Sequence, residues 1–221
     1  SVANLKSFEH YLLEKWGKNK LDLLTSDVKY VPEEINYDEE EANNYPVHLG
    51  HTIAAIYLPK VGGMSILKVF SFFEHTSICM LQLLSGFYEK VLITKPLTSA
   101  AINSEVYIVC MNKIAHPSKM QLEQLFICMK SIRSNPLPLK SIFSTTPEEF
   151  MSAIIEVNKI RVKQQVDALD RILELFAEYK NDPEKILVDL GSAREETIKK
   201  WLLEYSPRHL PKSESFDFTT Q

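Results

Sequence analysis

Long apolar runs, an excess of basic charge and paired cysteines are all missing from this chain, and each shortage removes a class of protein. No stretch approaches the roughly 18 consecutive apolar residues that cross a bilayer, and the N-terminus carries no signal-peptide pattern, so no membrane association is expected. A formal net charge of −4 excludes a uniformly basic surface that coats nucleic acid, while leaving room for a local basic groove. Cys79, Cys110 and Cys128 stand in apolar surroundings without C-x-x-C spacing and read as reduced core residues rather than a disulfide set or a zinc site. That pattern points to an intracellular, cytoplasmic protein. No internal repeat is present. With 221 residues and 45% hydrophobic content, the chain suffices for one good core and a smaller helical appendage.

In chain order, Asn4 to Trp16 spaces Leu5, Phe8, Leu12 and Leu13 as a helix does, and Gly17-Lys18-Asn19 ends it. Leu21 to Thr25 reads as a strand running into Ser26-Asp27, which delivers a carboxylate to the strand's carboxyl end, where open α/β sheets bind ligands. From Val31 to Asn44 the chain turns acidic, with Asp38-Glu39-Glu40-Glu41; a flexible loop with a solvated face is expected, a divalent-cation site being the minor alternative. Pro46 to Leu58 reads as a helix with proline near its first turn, leading to a Gly62-Gly63 turn. His48 and His51 on it lack the carboxylate or cysteine that would complete a metal site, so they are expected to be ordinary surface or groove residues, and no metal is expected. Beyond Cys110 the character becomes helical. Met120 to Ile132, Pro147 to about Tyr179, Glu184 to Leu190 and Ala193 to Tyr205 read as helices, with Asn135 to Pro138, Asp182-Pro183 and Gly191-Ser192 as breaks and a polar tail after Pro207. The series Ile154, Ile155, Ile160, Val166, Leu169, Ile172, Leu173 and Phe176 is expected to pack inward rather than to form a coiled-coil face. The organisation is therefore an α/β part over 1–116, a helical extension over 117–206 and a tail over 207–221.

The stretch from Gly62 to Cys110 organises the rest. Ser65 to Phe70 is a short apolar run that should be a buried strand, yet Lys68 sits inside it among Ile66, Leu67, Val69 and Phe70. Val91 to Thr94 and Val106 to Val109 are two further strands, separated by the polar loop Lys95 to Ser104, with Glu105 at the mouth of the second. A helix from His75 to Leu84, ended by Gly86, completes a β-α-β rhythm that fits a parallel sheet with an antiparallel last strand. Burying a lone ammonium or carboxylate costs several kcal/mol unless it is paired, so Lys68 and Glu105 are expected to meet near the sheet edge.

Asp27 after LDLLTS, Lys68 in GGMSILKVF and Glu105 in KPLTSAAINSEVYIV resemble, in order and spacing, the last three members of the Lys-Asp-Lys-Glu tetrad of the FtsJ-like (RrmJ-like) RNA ribose 2′-O-methyltransferases. The resemblance covers Leu21 to Cys110 and implies a Rossmann-like methyltransferase sheet, with Asp27, Lys68 and Glu105 converging at one end of it to line a cleft open to solvent. It further implies S-adenosyl-L-methionine as cofactor, with Asp27 and Val28 nearest to it, and RNA as partner, with Lys29, Lys95 and Ser99 flanking the cleft. FSFFE, the KPLTS loop and the helical extension look more like cap-type viral or eukaryotic enzymes than the compact bacterial ribosomal one, so capped mRNA and a cytoplasmic setting, including a viral factory or virion, are the implied substrate and place. Ala100 departs from the pattern, since family members usually carry arginine there, which puts one phosphate or loop-bracing contact in doubt. The family's glycine-rich cofactor loop and first lysine find no match, so the chain resembles the C-terminal half of the fold, completed by the same or another chain.

The chemistry suits these residues independently. Methyl transfer from a sulfonium to a ribose hydroxyl requires the oxygen to lose its proton, and a lysine amine held in place can accept it. Lys68 would be that base, with Asp27 orienting it from the strand end and Glu105 holding it from the other side. The alternatives are an ion-pair network that merely stabilises the sheet, and a non-catalytic methyltransferase fold serving as an RNA- or protein-binding platform.

Overall fold

A computed structural model describes residues 1–17, 20–30, 39–131, 143 and 145–206. The chain divides into Ser1–Val166 and Asp167–Gln221. The first unit runs α1 (Val2–Trp16), β1 (Leu21–Ser26), α2 (Glu40–Tyr57), β2 (Pro59–Val69), α3 (His75–Ser85), β3 (Tyr88–Thr94), β4 (Val106–Lys113), α4 (Lys119–Ser131) and the start of α5 (Glu148–Asn181). Ser1 caps α1 by accepting from Asn4 N, and Gly17 closes it in the left-handed region at φ 63°.

The four apolar runs form one sheet in the order β1-β2-β4-β3. β1 and β2 are parallel, while β4 lies between β2 and β3 and is antiparallel to both, as the rhythm of runs and connections predicts. Because β2 and β4 are the two inner strands, Lys68 and Glu105 belong to the middle of the sheet rather than to its edge. Alternation along β2 sends Leu67 and Val69 into the core and leaves Lys68, opposite Tyr107, on the other face. That core joins Leu67, Ile108 and Cys110 to Leu49, Ile53 and Ile56 of α2 and Cys79, Leu81 and Leu84 of α3, all within 2% of full burial. Each such aliphatic side chain contributes about 1.5–3 kcal/mol by leaving water.

Gly62-Gly63 is not a turn but part of β2, where the pairing slips from Leu21 opposite Pro59 to Leu23 opposite Met64. Gly62 takes φ 82° there, and a Cβ on Gly63 would sit 2.9 Å from Lys60 O and 3.1 Å from Asp22 O. Both glycines are required by this bulge.

Three other expectations are corrected. Helix α2 begins at Glu40, so Glu40 to Asn44 is not loop and Pro46 lies inside the helix; acidic side chains in the first turn favour that start by complementing the helix dipole. In the second unit Pro183–Tyr205 is one helix, α6, unbroken at Gly191-Ser192. Asp182 Oδ1 caps it by accepting from Lys185 N at 3.0 Å, with Pro183 in the first turn, and an interior glycine lowers helix stability by only about 1 kcal/mol. Of the apolar series on α5, Ile154 is buried while Ile155, Ile160, Val166, Leu169, Ile172, Leu173 and Phe176 stay exposed. Residues 31–38, Asn135 to Pro138 and the tail after Pro207 lie outside the described residues. Among the described residues, no helix is long and apolar enough to cross a membrane.

Candidate active site

Parallel pairing puts the carboxyl ends of β1 and β2 at one end of the sheet, and the antiparallel β4 starts at that same end. Asp27 is the first residue past β1, Lys68 the last but one of β2, and Glu105 the residue before β4. The topology alone therefore gathers the three. Lys68 Nζ forms an ion pair with Asp27 Oδ1 and lies 3.8 Å from Glu105 Oε2. The Lys68 side chain is 13% exposed and that of Glu105 23%, whereas Asp27 is 70% exposed, so the cluster is closed beneath and open beside Asp27. Tyr107, directly across from Lys68, donates its hydroxyl to Glu105 Oε1 at 3.0 Å, which leaves Oε2 for the lysine. Desolvation, then the hydrogen bond and charge of Glu105, push the Tyr107 phenol up to about 12, so it keeps donating near neutral pH.

The flanking residues differ among themselves. Val28 is half exposed beyond the end of β1. Lys29 pairs with Glu40 and lies 5.1 Å from the centre of the Phe70 ring. Lys95 Nζ donates to Asn103 O at 3.1 Å, to Asn103 Oδ1 at 2.7 Å and to Glu105 O at 2.7 Å. All three of its protons thus hold the hairpin loop against the start of β4, although the charge remains beside the site. Ser99 closes a turn by donating its N–H to Pro96 O at 2.9 Å, and its Oγ is buried without a hydrogen-bond partner among the described residues.

A family profile described as FtsJ-like methyltransferase matches residues 2–113, the span that holds the whole sheet and all three charged residues. The chain belongs to the FtsJ-like methyltransferase family. It is 32% identical over 196 residues to a cap-specific mRNA (nucleoside-2'-O-)-methyltransferase 2 of Danio rerio, a match covering 85% of this chain and 25% of that protein. A cap-specific mRNA (nucleoside-2'-O-)-methyltransferase of Autographa californica nuclear polyhedrosis virus is 36% identical over 80 residues, covering 36% of this chain and 30% of that protein. A crystal structure of a ribosomal RNA methyltransferase from Plasmodium falciparum aligns at 25% identity and a TM-score of 0.41 over 51% of this chain and 57% of that chain. The chain spans about a quarter of the length of the first of these relatives.

Membership of a methyltransferase family implies a methyl donor, and the end of β1 in this FtsJ-like chain fits a cationic one. Asp27 presents an exposed carboxylate there beside the exposed Val28, so part of the acidic charge stays available to a ligand.

The residues that sequence reasoning missed are Glu40 and Glu41, which the acidic run disguised as a solvated face. Glu40 binds Lys29 through one oxygen and accepts from Ser104 Oγ at 2.5 Å through the other. It thereby ties the segment after Asp27 to the segment before Glu105. Glu41, 7% exposed, accepts from Ser71 Oγ at 2.7 Å and from Phe73 N and Glu74 N at 3.0 Å each. Asn44 adds a bond from Tyr30 N to its Oδ1 at 2.7 Å. The first turn of α2 therefore fastens all three segments that carry the charged cluster.

His48 and His51 are not surface residues either. They stack with ring centroids 5.2 Å apart, 1% and 6% exposed, and His51 Nδ1 meets Ser26 Oγ at 3.3 Å, next to Asp27. Burial holds His48 down to about 4, against a smaller upward pull from Glu40; burial and then the His48 charge hold His51 down to about 3. Both are depressed, so the unfolded chain binds the extra protons, and stability present above about pH 6.5 is lost as pH falls toward these values. Moving from pH 7.5 to 5.5 should cost about 1.4 kcal/mol per histidine, roughly 3 kcal/mol in all. Urea midpoints at the two pH values check this; an unchanged midpoint would mean the pair is solvated in the fold.

Proposed function

We propose that this chain is the part of an RNA ribose 2′-O-methyltransferase that activates the acceptor hydroxyl, in mRNA cap formation, with S-adenosyl-L-methionine as donor. The observation that carries this reading is the closure of Asp27 and Glu105 around Lys68 at the carboxyl ends of β1 and β2. The cap-specific names of the relatives supply the substrate class. Three free, buried thiols suit a cytoplasmic setting. The groups that would hold most of the donor belong, on this reading, to the other half of the fold, in the same or another chain.

When bound, the donor supplies a methyl group on a sulfonium. Lys68, as the free amine, would take the proton of the ribose 2′-hydroxyl as that oxygen accepts the methyl group the donor would supply. Asp27 and Glu105 fix Nζ from two sides, and Tyr107 fixes Glu105. Lys29, Lys95 and Ser99 flank the RNA, the two cations favouring its phosphates through charge.

Radiolabelled methyl transfer by the complete protein to capped and uncapped RNA, followed by nucleoside digestion, tests the reading; absence of 2′-O-methylated product would leave the fold a binding platform. Tyr107→Phe removes one hydrogen bond to a charged group and leaves Asp27, Lys68 and Glu105 themselves unchanged. It should lower kcat about five- to tenfold with KM for RNA little changed. A rise in KM alone would place Tyr107 in RNA contact instead.

A further inference from the structure

Beside the charged cluster, a cavity of about 340 Å³ lies between the loop after Lys68, the Lys95 to Glu105 loop and the first half of α5. Phe73, Lys95, Asn103, Ser104, Arg161 and Gln165 are among its lining residues, all within the first unit. Its position ties it to the reaction centre, since Ser104 precedes Glu105 and Lys95 Nζ holds the Glu105 carbonyl. Its walls are fixed. Asn158 Nδ2 donates to Phe72 O at 2.8 Å and Gln165 Nε2 to Ile102 O at 2.7 Å, so α5 is fastened to both loops.

Two features of this cavity ask for a ligand. Phe73 has its backbone N–H pinned by Glu41, yet its side chain is turned outward and the residue is 63% exposed, a large apolar area held rigidly in water. The Arg161 guanidinium donates to Gln164 Oε1 at 3.0 Å and has no carboxylate in ion-pair range among the described residues. Lys95 is close enough for the two charges to oppose each other: desolvation lowers the Lys95 pKa against an upward pull from Glu105, and Arg161 adds a smaller lowering. An exposed aromatic face beside Arg161, whose charge has no carboxylate of its own among the described residues, with Lys95 close by, matches a base stacked next to its phosphate.

We infer that this cavity is a subsite for one nucleotide of single-stranded RNA beside the ribose that is methylated, its base on Phe73 and its phosphate at Arg161. The inference rests on the RNA methyltransferase reading and extends it, because α5 lies outside the matched family span of residues 2–113. The helical extension thus supplies one wall of the RNA path.

Fluorescence anisotropy of a labelled capped ten-nucleotide RNA with the complete protein tests it, alongside methyl transfer. Phe73→Ala and Arg161→Ala should each weaken RNA binding about tenfold, within the range of base–aromatic stacking and of one phosphate contact. Phe73→Tyr should keep wild-type affinity, which separates loss of stacking from loss of folding. Arg161→Ala should also flatten the salt slope by about one, whereas Lys159→Ala, an exposed charge on the same helix outside the cavity lining, should change affinity less than about twofold. Unchanged binding in Phe73→Ala and Arg161→Ala, an equal loss in Lys159→Ala, or no RNA binding by the wild type would overturn the subsite. If the wild type transfers no methyl but its RNA binding still depends on Phe73 and Arg161, the enzymatic reading fails and the subsite stands.

Discussion

Replacing Lys68 with alanine in the complete protein is expected to lower methyl transfer by about 10²- to 10⁴-fold while RNA and cofactor affinities stay within a few-fold. A general base acts on the transition state, and that range is what a positioned proton acceptor contributes. Lys68 is suited to the task because it is shielded, held from two sides and placed at the sheet end where the other ligand groups gather. Lys68→Arg should fail as well, since a guanidinium keeps its proton at any working pH and its planar fork does not fit a site shaped for one nitrogen. Replacing Lys29 or Lys95 should act differently. Lys29→Ala should weaken RNA binding in a salt-dependent way, whereas Lys95→Ala should also loosen the Glu105 loop, given its three hydrogen bonds there. Single-turnover transfer at saturating RNA separates these cases. Near-normal turnover in Lys68→Ala would remove the catalytic assignment and favour the binding platform.

The meeting of Lys68 with Glu105 is legible because burial makes charge conspicuous, and Asp27 joins them through the ordered resemblance to the FtsJ-like family. A lysine inside ILKVF has no cheap local solution, so its partners can be sought at the mouths of other strands, and a parallel pair with an inserted antiparallel strand brings those mouths together. The supports of the cluster were hidden for the opposite reason. Glu40 and Glu41 stand in a run of acids that reads as solvated, and nothing local tells that Glu41 finds two backbone amides more than thirty residues away. His48 and His51 are polar yet buried, because His48 packs on both His51 and Phe70 while His51 Nδ1 meets the Ser26 hydroxyl. At Gly62-Gly63 and Gly191 a local rule was applied too strongly. One pair forms a bulge within a strand, and the other glycine is carried by a helix whose start Asp182 and Pro183 already fix.

Glu41 is where a substitution is expected to cost stability, and the arithmetic of its acceptors says how to detect it. Its two oxygens receive the amides of Phe73 and Glu74, one each, plus the Ser71 hydroxyl, and the two amides sit immediately before α3, where a carboxylate also complements the positive end of the helix. Glu41→Ala leaves two amide donors without an acceptor beneath the loop that follows Lys68. At about 1.5–3 kcal/mol for each hydrogen bond to a charged group, discounted because Phe73 and Glu74 are exposed and water can reach their amides, a destabilisation of roughly 2 kcal/mol is expected. Glu41→Gln should not rescue it. A carboxamide has a single acceptor oxygen, so one of the two amides would face an NH₂ group, and a loss of about 1 kcal/mol should remain. The same loop carries Phe73, so both variants should bind RNA more weakly even where they are fully folded. Urea denaturation followed by anisotropy at low denaturant measures the two effects on one preparation. Wild-type stability in Glu41→Gln would mean that the carboxylate is not the tie holding this loop to α2.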